Sequence, residues 1–149
     1  MKSRWLPFAL GVFLLIGRAA YGQSNNDLIG VWHNEVNATL TITAISPVGK
    51  LTGTYVFQPG SAGAIFPLIG WVNPISTASK KDHVVPVLFM IRWDVYGSIV
   101  VWAGYLNKGN DGRFSITTIW NKVSGSADPD ASLDQNEAKT AVFKAGPAQ

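Results

Sequence analysis

The 149-residue chain carries 12 basic and 9 acidic residues, which gives a formal net charge of +3. Lys2, Arg4 and Arg18 supply this excess, because without them the remaining 9 basic residues balance the 9 acidic ones. The only basic cluster in this near-neutral remainder is Lys80-Lys81, too little to neutralise a run of phosphates, so we expect no nucleic-acid partner. The chain has no cysteine, which leaves packing or oligomerisation, rather than disulfides, to stabilise it.

The first 22 residues differ from the rest of the chain. Lys2 and Arg4 form a positive start, the run 6–17 is apolar, and Ala20-Tyr21-Gly22 is a small-x-small ending. This pattern predicts a secretory signal peptide that is cleaved before Gln23. A membrane-spanning helix needs about 20 apolar residues, and this run has about a dozen. We therefore expect residues 23–149 to form one domain with no membrane partner, secreted to the extracellular space or to a bacterial periplasm.

Strand patterns fill the remainder of the chain. In the stretch 39–44, threonine at odd positions alternates with apolar residues at even positions, a period of two that predicts a strand. Similar runs occur at Leu28–His33, Lys50–Phe57, Leu68–Ile75, Val85–Asp94, Ile99–Leu106, Arg113–Asn121 and Lys139–Ala145.

Turn residues separate these runs, as in Ser46-Pro47-Val48-Gly49, Gln58-Pro59-Gly60, Tyr96-Gly97 and Asn110-Asp111-Gly112. No helix is predicted to cover a sheet edge. The pattern therefore favours an all-β fold, an eight-stranded antiparallel up-and-down barrel, with a β-sandwich as the alternative.

The run Lys50–Phe57 has a glycine, Gly53, at its centre. A glycine within a strand marks a bulge, a bend or a close approach of backbone, so we expect Gly53 to relieve a bend and Tyr55 to point towards a ligand. An eight-stranded barrel is wide enough to hold one small ligand. Five tryptophans in or beside predicted strands favour such a cavity, with ordinary core and surface tryptophans as the alternative: Trp32, Trp71, Trp93, Trp102 and Trp120.

The stretch LIGVWHNEVNATLTITAISPVGKLTGTY, from Leu28 to Tyr55, resembles the first three strands of the avidin and streptavidin family. Its G-x-W-x-N opening and its G-x-L-T-G-T-Y third strand fall at the family's spacing without a gap. Further family marks follow in order, namely Trp93, Ser98 with Trp102-Ala103-Gly104, and Thr118-Ile119-Trp120. The resemblance extends to about Lys122.

This resemblance implies a barrel whose mouth binds biotin, as a ligand and not as a cofactor. By position, Asn34 and Tyr55 would donate hydrogen bonds to the ureido oxygen, and Ser98 would lie near the carboxylate. Tryptophans would form the walls around the apolar rings: Trp93, Trp102 and Trp120. The resemblance also implies a homo-oligomer, a dimer or a tetramer.

Several polar partners of the family are missing from this chain. Ala38 stands where the family usually has a serine donor, Phe57 where it has a small hydroxyl residue, and Val100 where it has a threonine. All three are expected to line the cavity. The final strand, KTAVFKAG, has neither the usual Asp or Asn nor the tryptophan that many members lend to a neighbouring subunit. Because each lost hydrogen bond costs about 1–3 kcal/mol, we expect reduced affinity.

Other functions remain as alternatives. The same barrel could hold a more apolar ligand, or it could have lost biotin binding and act as an interaction or lectin-like protein. An enzyme is not expected, because His33 and His83 lack acidic or cysteine partners at metal-ligand spacing and no hydrolase or zinc motif occurs, so we assign no catalytic residue and no metal site. The carboxylates of 128–137 suit a solvated loop or a calcium contact. Asn37-Ala38-Thr39 matches an N-glycosylation sequon, with a chance match in a threonine-rich strand as the alternative.

Overall fold

A computed structural model of the protein describes residues 25–57, 63–73, 84–93, 97–125 and 136–146. The predicted signal peptide, the Gln58-Pro59-Gly60 turn, Lys80-Lys81, His83 and most of the predicted loop at 124–136 lie outside the described residues.

A short 3-10 helix, Asn25–Leu28, precedes eight strands. The strands are β1 (Gly30–His33), β2 (Ala38–Ile45), β3 (Lys50–Phe57), β4 (Ile65–Val72), β5 (Val85–Trp93), β6 (Ser98–Lys108), β7 (Phe114–Ser124) and β8 (Asn136–Ala145). Each strand pairs antiparallel with its neighbours in chain order, and β8 pairs with β1, which closes the sheet. The predicted eight-stranded up-and-down barrel is confirmed, and the sandwich alternative is wrong.

Some strand boundaries differ from the prediction. β4 begins at Ile65 rather than Leu68, because Pro67 occupies an exposed position in the strand and pairs with Thr54. Leu28 ends the 3-10 helix instead of opening β1. The last three strands are longer than predicted, since ladder pairing continues into polar residues.

The inward side chains of alternate positions form one buried core. Phe89, which is fully buried, stacks on Trp102 with ring centroids 5.3 Å apart and meets Phe143 edge-on at 5.8 Å. At one end of the barrel, Trp32 Nε1 donates a hydrogen bond to the carbonyl oxygen of Leu28 (2.9 Å), so the 3-10 helix packs across this end. We call this end the base. The opposite end, which carries the β1–β2 and β5–β6 connections, is called the mouth.

Gly53 lies where β2 and β3 come unusually close. It pairs with Ile42 next to a register shift between Ile42 and Ala44, which is a β-bulge or similar irregularity. A Cβ atom at Gly53 would overlap the carbonyl oxygen of Thr41. A bulge and a close approach of backbone, two of the features that a strand glycine marks, are both present here, and the orientation of Tyr55 towards a ligand stays a prediction.

Candidate ligand site at the barrel mouth

Asn34 follows β1 and organises the turn at the mouth. Its Oδ1 accepts hydrogen bonds from the backbone N–H groups of Ala38 (2.9 Å) and Val36 (3.2 Å). Asn37, whose φ is 56°, donates its N–H to the carbonyl oxygen of Asn34 at 3.1 Å. Because both turn amides engage Oδ1, the donor of this side chain is its Nδ2 group.

Tyr55 lies on the inward face of β3 and is only 4% exposed. Its ring centroid is 5.0 Å from that of Trp102, with the rings tilted by 41°. Burial raises the pKa of Tyr55 well above its ordinary value, and the negative charge of Glu35 raises it further. The hydroxyl therefore keeps its proton at physiological pH.

A second aromatic group borders the mouth around Trp93, the last residue of β5. Its ring meets Phe57 at a centroid distance of 5.7 Å and an angle of 70°, and Phe66 at 5.8 Å and 85°. Phe57 lies two residues after Tyr55, on the same face of β3, and packs against the core. Phe57 therefore points into the barrel.

The other predicted site residues come together on β6 and β7. Ser98 pairs with Trp93 on one side and with Ser124 on the other, and the two serine hydroxyl oxygens are 3.0 Å apart. Trp102 pairs with Trp120, which is partly buried against the core. The barrel closure thus places the predicted residues of β3, β5, β6 and β7 on inward faces, while Asn34 stands at the end of β1.

Small apolar side chains occupy several inward positions between these groups. Ala38 and Val100 are buried, and neither side chain can form a hydrogen bond. On β8, the inward position opposite Thr118 is Ala141, and the Thr118 hydroxyl donates to the Ala141 carbonyl oxygen at 3.0 Å. The inward positions of Ala38 and Val100 are thus apolar, in agreement with the absence of polar side chains noted in the sequence.

Three charged residues at the mouth were not predicted. Lys122 pairs with Glu137 and Lys139 pairs with Trp120, all on the inward face of β7 and β8. Glu137 forms an ion pair with Lys139 and a longer one, 4.0 Å, with Lys122. The hydrogen bond from Lys139 and the charges of both lysines hold the pKa of Glu137 below its ordinary value. Side chains two residues apart on a strand share a face, so the spacing of Lys122 from Trp120 was a signal in the sequence for its inward position.

A separate groove of about 640 Å³ lies where β1 meets β8, and it shares only Asn34 with the predicted site. The two strands pair there at Trp32–Ala145 and His33–Lys144. His33 is half-buried, with its Nδ1 3.1 Å from the Thr39 hydroxyl. Within the described residues, no group of three or more metal-ligating side chains occurs, and no helix is long and apolar enough to cross a membrane.

Comparison with known proteins identifies the family. The sequence profile described as "Avidin family" matches residues 23–146. The chain belongs to the avidin family. Chicken (Gallus gallus) avidin is 26% identical over 119 residues, which are 76% of this chain and 76% of that protein. Avidin-related protein 4/5 of Gallus gallus is 27% identical over 97 residues, covering 62% of this chain and 60% of that protein.

Solved structures agree with this assignment. The crystal structure of Xenavidin superposes with a TM-score of 0.69 at 25% identity, over 82% of this chain and 98% of that one. A structure named AVR2 gives a TM-score of 0.71 at 20% identity, over 85% of this chain and all of that one, and shows likeness of fold. The resemblance found in the sequence is confirmed. Because avidin-family members are non-enzymatic binding proteins, this chain is a binding protein and not an enzyme.

Proposed function

We propose that this avidin-family barrel binds biotin, or a small molecule with a similar ring system, non-covalently in its mouth. The observation that carries the proposal is the burial of Tyr55 against Trp102, 5.0 Å between ring centroids, with the phenol proton retained. The Nδ2 group of Asn34 supplies a second donor, held in place by the β1–β2 turn whose backbone amides bind Oδ1 of the same side chain. Two fixed donors suit a urea carbonyl oxygen, which gains negative character when both bind it.

The proposed affinity is lower than that of a site with a full polar set. The inward side chains of Ala38, Phe57, Val100 and Ala141 provide no hydrogen bond to a ureido group or to the ring sulfur. At about 1–3 kcal/mol for each missing bond, four such positions cost roughly 4–12 kcal/mol. That range corresponds to roughly three to nine orders of magnitude in the dissociation constant.

Titration calorimetry of biotin into the purified protein tests the proposal. We expect saturable binding in the wild-type protein and about tenfold weaker binding in Tyr55→Phe, which loses only the hydroxyl. Tyr105→Phe is the matched control, because Tyr105 is an exposed tyrosine on the outer face of β6, and its affinity should stay within about twofold of wild type. No heat and no competition, with the protein folded, would contradict the proposal.

The orientation of Phe57 supports a second candidate, a ligand with a more apolar head group. The ring packs edge-on against Trp93 inside the barrel, where a hydroxyl side chain would serve a urea better. Phe57→Thr separates the two ligands. For a urea ligand the substitution should tighten biotin binding, whereas for an apolar ligand it should weaken binding of an apolar probe such as anilinonaphthalene sulfonate. Binding of neither ligand would favour the interaction-protein alternative.

We also propose that the protein is a homo-oligomer, assembled through the outer face of β4–β7. Trp71, Leu88 and Ile119 lie in one cross-strand row with Ala103 and are 48%, 37% and 64% exposed. A contiguous exposed apolar surface of this kind favours self-association. Light scattering coupled to size exclusion should give a dimer or tetramer for wild type and smaller species for Ile119→Lys. Val48→Lys, at an exposed turn position, is the control.

Export and modification complete the proposal. We propose that residues 1–22 direct secretion, which the avidin-family match beginning at residue 23 supports. Amino-terminal sequencing of exported protein should then begin at Gln23, and retention of Lys2 would contradict it. In a host that glycosylates, the exposed Asn37 is the proposed acceptor. Peptide N-glycosidase should then lower the mass of wild type and not that of Asn37→Gln.

A further inference from the structure

The inward face of β7 and β8 carries two lysines at the barrel mouth. Lys122 lies two residues beyond Trp120 on β7, opposite the buried Val100 of β6. Lys139 lies opposite Trp120 and two residues before the buried Ala141 of β8. Because side chains alternate along a strand, both lysines share the face of these inward neighbours.

The charge of this cluster is unbalanced. Both ammonium groups pair with a single carboxylate, that of Glu137, so the three side chains together keep one positive charge. Lys139 Nζ also lies 5.9 Å from the centroid of the Trp120 ring, where the negative face of the indole attracts it. This contact holds one cation over an aromatic wall of the mouth. Among the described residues, Glu35 lies on the β1–β2 turn and accepts a hydrogen bond from the Val142 backbone N–H at 3.3 Å.

Hydroxyl groups continue the polar wall beside the lysines. Ser124 follows Lys122 by two residues on the same face of β7, about 7 Å along the strand. Its hydroxyl oxygen is 3.0 Å from that of Ser98. Cations and hydroxyls therefore border the mouth along β6, β7 and β8, and the apolar rings of Phe57 and Trp93 border it along β3 and β5. Carboxylates bind most strongly to charged donors and hydroxyls in this combination.

We propose that Lys122 and Lys139 are specificity-determining residues that bind the anionic tail of the ligand. The tail carboxylate lies at the mouth, between the two ammonium groups and the Ser98–Ser124 pair, while the ring system lies deeper against Trp102. Glu137 positions the lysines and limits the net charge. This inference rests on the proposed function and deepens it, because it names the ionic class of the ligand.

The test compares two probes that differ only in tail charge, biotin and its neutral carboxamide. Calorimetric titrations are run with wild type, Lys122→Gln, Lys139→Gln and the double variant. We expect wild type to prefer biotin by about fivefold or more at low salt, with each single variant losing part of this preference. The double variant should bind both probes alike. The preference of wild type should also shrink at about 1 M salt, where screening is strong.

Two controls separate the charge effect from a structural one. Lys144→Gln removes an exposed lysine from the same strand, β8, on its outward face, and should retain the preference for biotin. The double Lys→Arg variant keeps both charges and should retain it as well. Because the readout is a ratio between two probes, partial unfolding of a variant lowers both affinities and does not imitate the expected result.

The outcomes distinguish this inference from the function on which it rests. Equal affinity of wild type for both probes, or a preference that survives in the double Gln variant, overturns the assignment of the lysines and leaves biotin binding intact. Failure of folded wild type to bind either probe overturns the proposed function and this inference with it.

Discussion

The close approach of β2 and β3 at Gly53 makes Gly53→Ala strongly destabilising. The new Cβ would overlap the carbonyl oxygen of Thr41. It would also lie 2.9 Å from the carbonyl carbon of Thr41 and 3.1 Å from the Cα of Ile42. These are backbone atoms, so no rotamer change can relieve the overlap. The strands must separate locally, which breaks one or two ladder hydrogen bonds in a buried wall. Each polar group left without a hydrogen bond costs about 1–3 kcal/mol, so we expect the free energy of unfolding to fall by roughly 2–4 kcal/mol.

Urea unfolding followed by tryptophan fluorescence measures this loss. The free energy of unfolding of a domain is typically about 5–15 kcal/mol, so a decrease of roughly 2–4 kcal/mol is a large part of it. The urea concentration at the midpoint of unfolding should therefore fall clearly. Gly125→Ala is the matched control, because the nearest atom to its new Cβ would be the Gly97 carbonyl oxygen at 3.3 Å. We expect the control to change stability by less than about 1 kcal/mol. Equal midpoints for the two variants would refute the described strand contact.

Three further substitutions test the core and the mouth. Phe89→Leu removes two aromatic ring contacts, so urea unfolding should show a loss of about 1–3 kcal/mol, and an unchanged midpoint would contradict the packing. Because the pKa of Tyr55 is raised in the folded state, its contribution to stability is complete below about pH 10 and is lost at higher pH as the unfolded chain ionises. Melting temperatures from pH 8 to 11 should therefore fall less in Tyr55→Phe than in Tyr105→Phe, and parallel curves would refute this. Ala38→Ser adds an inward hydroxyl at a fully buried position, and calorimetry should show about tenfold tighter biotin binding. The control Ala44→Ser, at an exposed position of the same strand, should leave the affinity unchanged, and no gain at Ala38 would argue against a ureido group there.

The barrel itself was predictable because the strand signals are local. The alternation in 39–44 predicted β2, and the glycine in β3 correctly indicated a bulge. The start of β4 was missed because the predicted run began at Leu68, whereas ladder pairing extends back through Pro67 to Ile65. That boundary depends on pairing with β3, which a single run of residues does not reveal.

The site was predictable only in part. Family motifs drew attention to Tyr55 and Trp102, but the 5.0 Å contact between their rings depends on closure of the barrel, which joins strands far apart in sequence. The charged cluster of Lys122, Glu137 and Lys139 escaped notice because charged residues near strand ends usually face solvent. The period of two from Trp120 reaches Lys122, but the inward positions of Glu137 and Lys139 beside it follow from the β7–β8 register, which depends on strand pairing.

A crystal structure of the protein grown with biotin tests the central claim most directly. We predict biotin in the barrel mouth, with its ureido oxygen about 2.7–3.2 Å from Asn34 Nδ2 and the Tyr55 hydroxyl, and its ring system against Trp102. Biotin in the outer groove beside His33 and Arg113, or a mouth filled by protein side chains with no biotin bound, would contradict the account.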